Sequence, residues 1–517
     1  MPIESTPPVV RPVTPPHIRL GDLAERADTI SAPGEENLIV SGIAVATQSV
    51  QPGDIFVALP GKNGHGAAYA AAAAQAGAVA VLTDAAGEET ARQAGVPYLV
   101  SDNLRGRLGE LSAFVYGTHE DSPILFGITG TNGKTTTAHV LEAVLRQMGL
   151  RTGLSTTAER HINGEVFVSR LTTPEATDVH ALLARMKESQ VQAAVLEVSA
   201  QGLTHGRIDG IVFDCVGFTN LSIDHLDDYG TMDTYFEAKE MLFTPQRARA
   251  GVVSLESEWG NRLVADPSIP VSTISADAAT DPDWRLEILE ALPETTRFRV
   301  HNRAGDSIET TVALLGEHLV ADAGLALAMI VTAGYPAADV QAALQDGIQV
   351  YIPGRTESVS GPTGPRVYVD FGHSSDAFEK TLRAVREVTP GRVIMVFGAD
   401  GDRDPVKRPE MARVAAAGSD IVVVTDHHPR FEDPASIRRM LVEAAREAFP
   451  GKQIVEVSPP EAAIDYAVEL AREDDAILWA GPGHQDYRDI RGVRTPYSAR
   501  ALARDALTRH GWPASAA

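Results

Sequence analysis

A decapeptide at 127–136, Gly-Ile-Thr-Gly-Thr-Asn-Gly-Lys-Thr-Thr, dictates what must surround it. It follows the apolar run Ile124-Leu125-Phe126 and precedes Val140, Leu141, Val144, Leu145 and Met148, which recur at helical spacing. Strand, glycine turn and helix in that order make a phosphate cradle. Gly130 and Gly133 let backbone N–H groups approach phosphate oxygens, Lys134 adds a positive charge, and Thr135 offers a hydroxyl to Mg²⁺. Thr131, Asn132 and Thr136 complete the loop. One position departs from strict P-loop spacing: Ile128 stands where the first glycine belongs, so Gly127 and Gly130 are expected to do its work. The chain is expected to bind a nucleoside triphosphate.

At 517 residues the chain is too long for one hydrophobic core, and two to four domains are expected. Its 45 basic and 69 acidic residues leave a net charge of −24, which argues against nucleic acid or an anionic membrane as partner. The single cysteine, Cys215, lies in an apolar run and can form no internal disulfide, so a buried strand residue in a reducing, cytoplasmic setting is expected. The most apolar stretch, 67–82, is broken by Gln75 and Gly77 and is too short for stable membrane insertion. It reads as a small-residue helix followed by a strand.

Apolar runs separated by amphipathic stretches indicate an α/β chain. Prolines 7, 8, 12, 15 and 16 suggest a flexible arm over 1–17. A first α/β unit spans 18–119. A central unit, opened by the P-loop, spans 120–350, with buried strands at 194–198 and 216–220 that end in polar residues. The segment 265–307 reads as a polar, irregular excursion of that unit. A doubly wound unit, 351–517, has strands at 367–370, 393–397, 421–424 and 476–479.

Glu197 at one strand end, the run 220–227 at the next, and Thr135 could together hold Mg²⁺ through oxygen ligands and an imidazole. Singly, Glu197 could pair with a lysine and His225 could cap a helix. Taken in order, these segments and several others resemble the Mur ligase family over nearly the whole chain. The resemblance rests on 50–59, 130–136, Thr172-Thr173-Pro174-Glu175, Glu197-Val198-Ser199, Asp224-His225-Leu226-Asp227, Pro353-Gly354-Arg355, Gly401-Asp402-Arg403-Asp404 with Lys407-Arg408-Pro409, and Pro429-Arg430.

The resemblance implies three domains: an N-terminal one for a uridine nucleotide, a central P-loop ATPase and a C-terminal Rossmann-like domain that brings an amino acid. It implies an ATP-dependent amide ligase that adds a third peptide residue, diaminopimelate by default, to UDP-MurNAc-L-Ala-D-Glu through an acyl phosphate in peptidoglycan synthesis. ATP and Mg²⁺ are the implied cofactors. Lys134, His225 and Lys239 take catalytic roles, with Thr135, Glu197, His225 and Lys239, the last as a carbamate, around magnesium. If Lys239 is unmodified, the plain alternative is an exposed helix lysine. Asp322, Arg355 and Asp370 match nucleotide contacts; Thr47, Thr172, Thr173, Ser199, His205 and Arg207 match contacts to the UDP-muramoyl dipeptide.

The amino-acid pocket departs most from the family. Its Asp-Asn-Pro-Arg is here His427-His428-Pro429-Arg430, and Gly-Lys-Gly-His-Glu-Asp is 481–486 with Gln485 in place of the glutamate. Arg403 and Arg430 remain for carboxylates, while acids that would meet a distal ammonium are replaced. The histidine pair reads as polar surface rather than a metal site. In the first domain Ala46-Thr47-Gln48 replaces Asp-Ser-Arg, and Asp322 stands for an asparagine. These departures leave a second reading open, a diverged paralogue that uses another amino acid or binds nucleotide or muramoyl peptide with little ligation.

Overall fold

The P-loop strand Ile124–Thr129 forms in the middle of a sheet because its apolar residues find parallel partners on both sides, Ala193–Glu197 and Cys215–Phe218. In this computed structural model, which describes residues 9–32, 34–61, 64–119, 122–169, 171–291 and 295–515, that sheet has eleven strands. Parallel strands fill its centre; an antiparallel hairpin, Glu159–Ile162 with Glu165–Val168, closes one edge.

The other edge corrects the reading of 265–307 as irregular. Val271–Ser275 adds a parallel strand, and Trp284–Ala291, Thr296–Asn302 and Ser307–Val312 form an antiparallel ribbon. The ribbon alternates buried Leu286, Phe298, Val300 and Ile308 with charged residues on its other face, so its composition is polar although one face is core.

The P-loop helix Lys134–Gln147 and the apolar helix Glu317–Thr332 pack side by side on this sheet. Val140, Leu141, Val144 and Leu145 share one core with Leu325, Leu327 and Met329. Burial of each such side chain contributes about 1.5–3 kcal/mol, which fixes the loop at the head of a rigid element. Cys215 is buried in its strand, as expected.

A separate four-stranded parallel sheet, Gly42–Ala44, Asp54–Val57, Ala80–Thr83 and Tyr98–Val100, forms the N-terminal unit. The alanine-rich stretch becomes the helix Ala70–Gln75 and the strand Ala80–Thr83, separated by Gly77 at φ +112°. Of the Pro-rich arm, residues 1–8 lie outside the described residues. The remainder is tied down: Arg11 makes two hydrogen bonds to Asp54, at 2.6 and 2.8 Å, and the N–H groups of Val13 and Thr14 donate to Glu188. The C-terminal unit is a six-stranded sheet, parallel except for Glu357–Ser358 at its edge. Among the described residues no helix is long and apolar enough to cross a membrane.

Candidate functional site

Two glycines make the loop. Gly130 has φ +150° and Gly133 +87°; a Cβ on them would lie 1.8 Å from Thr219 Oγ1 and 2.2 Å from Asp322 Oδ1. Gly127 does not share this work. It is inside the strand, where a Cβ would press on the Phe213 ring at 3.0 Å, so its smallness serves packing. The loop is pinned by the end of the neighbouring strand: Thr219 Oγ1 donates to the Asn132 carbonyl at 2.6 Å, and Asn132 N–H donates to Asn220 Oδ1 at 3.1 Å. Lys134 folds back, its ammonium donating to the carbonyls of Gly130 at 2.9 Å and Thr131 at 2.8 Å.

The oxygen donors expected around magnesium cluster here. Thr135 Oγ1 faces the cleft and accepts from Arg355 at 2.9 Å. Glu197 is buried with no lysine bonded to it; Thr157 donates to Oε2 at 2.8 Å, and Oε1 is buried without a hydrogen-bond partner. A carboxylate oxygen left without a partner on the same cleft as a threonine hydroxyl suits a hard cation. His225 precedes the short helix Leu226–Tyr229, but its side chain does not cap it. Its ring stands 5.9 Å from that of Tyr235.

Lys239 is not an exposed helix lysine. It is 1% exposed, donates to the Gly130 carbonyl at 2.8 Å and sits 4.4 Å over the Tyr235 ring. Burial, with Lys134 nearby, pushes its pKa well down. It lies beneath the loop rather than on the cleft wall.

Across the loop stands the C-terminal unit. The cleft between the two, about 410 Å³, is lined by Lys134, Thr135, Glu197 and His225 on one side and by Arg355, Arg403, His427, Arg430, Gly481 and Gln485 on the other. Arg355 stacks over Phe371 at 4.4 Å. Asp370 is taken up locally, accepting from Thr356 N–H at 2.8 Å and Gly372 N–H at 2.6 Å, so it shapes the turn that carries Arg355. Asp322 is buried on the helix facing Gly133, and burial raises its pKa well above the carboxylate range. It also borders a second cavity of about 1000 Å³, walled by the antiparallel ribbon through Arg285, Glu287 and His301.

The residues matched to the UDP-muramoyl dipeptide divide. Thr172 lines the cleft and shares a 2.8 Å hydrogen bond with Thr157. Thr173 and Ser199 bond to each other just behind it, and Arg207 is held by Glu175 at 2.9 Å and the Thr173 carbonyl at 3.1 Å. His205 is exposed one turn further along, and Thr47 is in the N-terminal unit, neither on the cleft wall.

In the pocket expected to take an amino acid, the histidine pair is buried, not surface: His427 is 9% exposed and His428 3%. His427 Nδ1 lies 2.6 Å from Asp400 Oδ1, while His428 accepts from Asp489 N–H at Nδ1 and meets Gln485 Oε1 at 2.9 Å through Nε2. Burial lowers the pKa of His428 to about 3. Arg430, just after Pro429 and with φ +50°, donates to Asp400 Oδ2 at 3.2 Å; Arg403 is exposed on the cleft rim. Sequence reasoning missed Asp400, the acid that replaces the one expected at 427. Burial opposes its ionisation, but His427 and Arg430 hold its pKa low.

Asp224 was also missed as a site residue. Lys407 at 3.3 Å, His225 and His373 surround it and keep it ionised against burial. Its strand-end position in the run 220–227 was the available signal. Thr157 gave none, since it reaches Glu197 only through the fold.

Three family models match the chain: Mur ligase family, catalytic domain over residues 39–116; Mur ligase middle domain over 128–330; and Mur ligase, glutamate ligase domain over 354–483. The chain is 51% identical over 475 residues to a UDP-N-acetylmuramyl-tripeptide synthetase of Leifsonia xyli subsp. xyli, covering 92% of each. It is 42% identical over 502 residues to a UDP-N-acetylmuramoyl-L-alanyl-D-glutamate--2,6-diaminopimelate ligase of Streptomyces avermitilis, covering 96% of this chain and 98% of the other. A solved structure of a ligase with that same name superposes with TM-score 0.63 at 26% identity, over 96% of this chain and 99% of its own.

Proposed function

The chain belongs to the Mur ligase family, and from that premise we propose that it is an ATP-dependent amide ligase adding the third peptide residue to UDP-MurNAc-L-Ala-D-Glu in peptidoglycan synthesis. The observation that carries this is a cleft in which a phosphate loop faces an arginine- and histidine-lined wall from another domain.

The chemistry sets three demands: a carboxylate must take the γ-phosphoryl group of ATP, the acyl phosphate must be shielded from water, and an uncharged amine must attack it. Loop amides and Lys134 offset phosphate charge. Magnesium, held by Thr135, Glu197 and His225 with Lys239 behind them, would neutralise developing charge on the transferred group. A buried lysine that is a neutral amine can add CO₂, releasing a proton to give a carbamate and so an anionic oxygen beside that metal. Asp322 and the adjoining cavity receive the adenosine end, and Arg355 and Asp370 close over it. Thr172, Thr173, Ser199, His205 and Arg207 orient the muramoyl peptide, and Thr47 contributes on the uridine side. Arg403, Arg430 and the His427–Asp400 pair receive the amino acid. The reaction belongs in the cytoplasm, where ATP is at hand and the lone buried thiol stays reduced.

The test is direct. Purified protein is incubated with ATP, Mg²⁺, UDP-MurNAc-L-Ala-D-Glu and a pool of amino acids, and the product is weighed by mass spectrometry, with Lys134→Ala as the inactive control. ATP binding without any mass-shifted product would instead identify a diverged binder.

A further inference from the structure

One turn beyond Thr135 and off the cleft wall, the P-loop helix presents two residues one turn apart, His139 and Glu142, to two same-face residues of the edge hairpin, Glu159 and His161. The His139 and His161 rings meet edge-on with centroids 5.9 Å apart. Each imidazole is held at Nδ1. His139 Nδ1 donates to the Thr135 carbonyl at 2.8 Å, and His161 Nδ1 donates to Glu142 Oε2 at 3.3 Å, a carboxylate itself fixed by Thr152 at 2.8 Å.

On the other side His161 Nε2 meets Glu159 Oε2 at 3.1 Å. His139 is 2% exposed and its Nε2 is buried with no hydrogen-bond partner. One ligand atom from each of His139, Glu159 and His161 lies within 4.8 Å of the others. A carbonyl or carboxylate behind each ring is the arrangement that orients histidines toward a metal.

We propose that His139 Nε2, His161 Nε2 and a Glu159 oxygen bind a zinc-class divalent cation, with Glu142 and the Thr135 carbonyl holding the rings from behind and water completing the shell. Two imidazoles and one carboxylate select a borderline ion such as Zn²⁺ or Co²⁺ over Mg²⁺, which prefers oxygen alone. The ion replaces the proton that lies between His161 Nε2 and Glu159 Oε2, and that proton leaves to solvent. The bound ion would clamp the hairpin at the sheet edge to the helix that begins with Lys134.

Two other groups of potential ligands are weaker candidates. The Asp400, His427 and His428 group belongs to the cleft already described, and the His225, Asp227 and Asp228 group lies at a short helix with both carboxylates exposed.

The full chain, stripped with EDTA and dialysed, is titrated with Co²⁺, whose visible absorption reports tetrahedral nitrogen–oxygen coordination, and then with Zn²⁺ as competitor. One equivalent of Co²⁺ should bind, Zn²⁺ should displace it, and the melting temperature should rise with metal. His139→Asn and Glu159→Gln should each weaken cobalt binding at least tenfold, whereas His427→Asn should not. Glu159 is the more exposed, so its variant keeps the test valid if the helix variant misfolds. Absence of the cobalt band in the unmodified chain, a band untouched by both substitutions, or one lost only with His427→Asn would overturn the proposal.

Discussion

Burial pushes the Asp322 carboxyl well above its ordinary range, against the pull of the nearby Lys380, Lys134 and Arg355. In its protonated form a carboxyl offers one donor and one acceptor, as the asparagine amide expected at that position does. Asp322→Asn should therefore leave the KM for ATP at pH 7 within about threefold; a tenfold rise in steady-state assays would show that the acid is ionised in the complex. Burial lowers the pKa of Lys239 and so favours the neutral amine that adds CO₂. If the carbamate serves the reaction, Lys239→Ala should lower kcat by roughly 10²-fold. Formate or acetate should restore part of that loss, and ¹³C-bicarbonate should give a carbamate NMR signal in the unsubstituted protein only. A fully active alanine variant would end this assignment.

Strand ends bring Asp400 and His427 together. Val393–Phe397 and Ile421–Val424 are parallel neighbours, so the loops after them share one rim although 27 residues separate the two side chains. The pocket thus keeps an anion, though not at the position where the family motif places it. Asp400→Asn should cost about 1–3 kcal/mol in kcat/KM for an amino acid with a distal ammonium, by leaving that charge unpaired, while the KM for ATP stays fixed. Competition between ammonium-bearing and neutral amino acids measures it, and an unchanged preference would remove Asp400 from the pocket's selectivity. Sequence could not show this pairing, because adjacency of strands is a property of topology. The parallel strands themselves were legible as short apolar runs ending in polar residues. The ribbon over 284–312 was not, although Trp284, Leu286 and Ile288 alternate with Arg285 and Glu287, since its charged outer face hid the period of two. The loop residues Lys134 and Thr135 were legible because their spacing is local; Thr157 and His139 act across the fold and leave no local pattern.

The whole molecule holds histidines that the unfolded chain would protonate. His180 is fully buried between Thr118 at 2.6 Å and the Asp209 carbonyl at 2.9 Å, and burial lowers its pKa to about 4; His428 falls to about 3. Below the unfolded value of about 6.5 the unfolded chain binds more protons than the native one, so stability falls as pH drops toward 4. Each group contributes up to about 3 kcal/mol to that loss. Melting temperature should decrease between pH 7 and pH 4.5, and His180→Gln should flatten the decrease; a flat profile in the unsubstituted chain would contradict it. At this scale the seam between the central and C-terminal units matters most. Arg355 on Thr135, Asn132 on Asp376 and Lys407 on Asp224 join the two units directly. Groups that would serve nucleotide and metal already serve closure, each bond being worth about 0.5–1.5 kcal/mol. A ligand that engages Thr135 or Asp224 would thus compete with the protein's own far wall, and the apparent affinity of whatever enters first would be discounted by the cost of parting that seam.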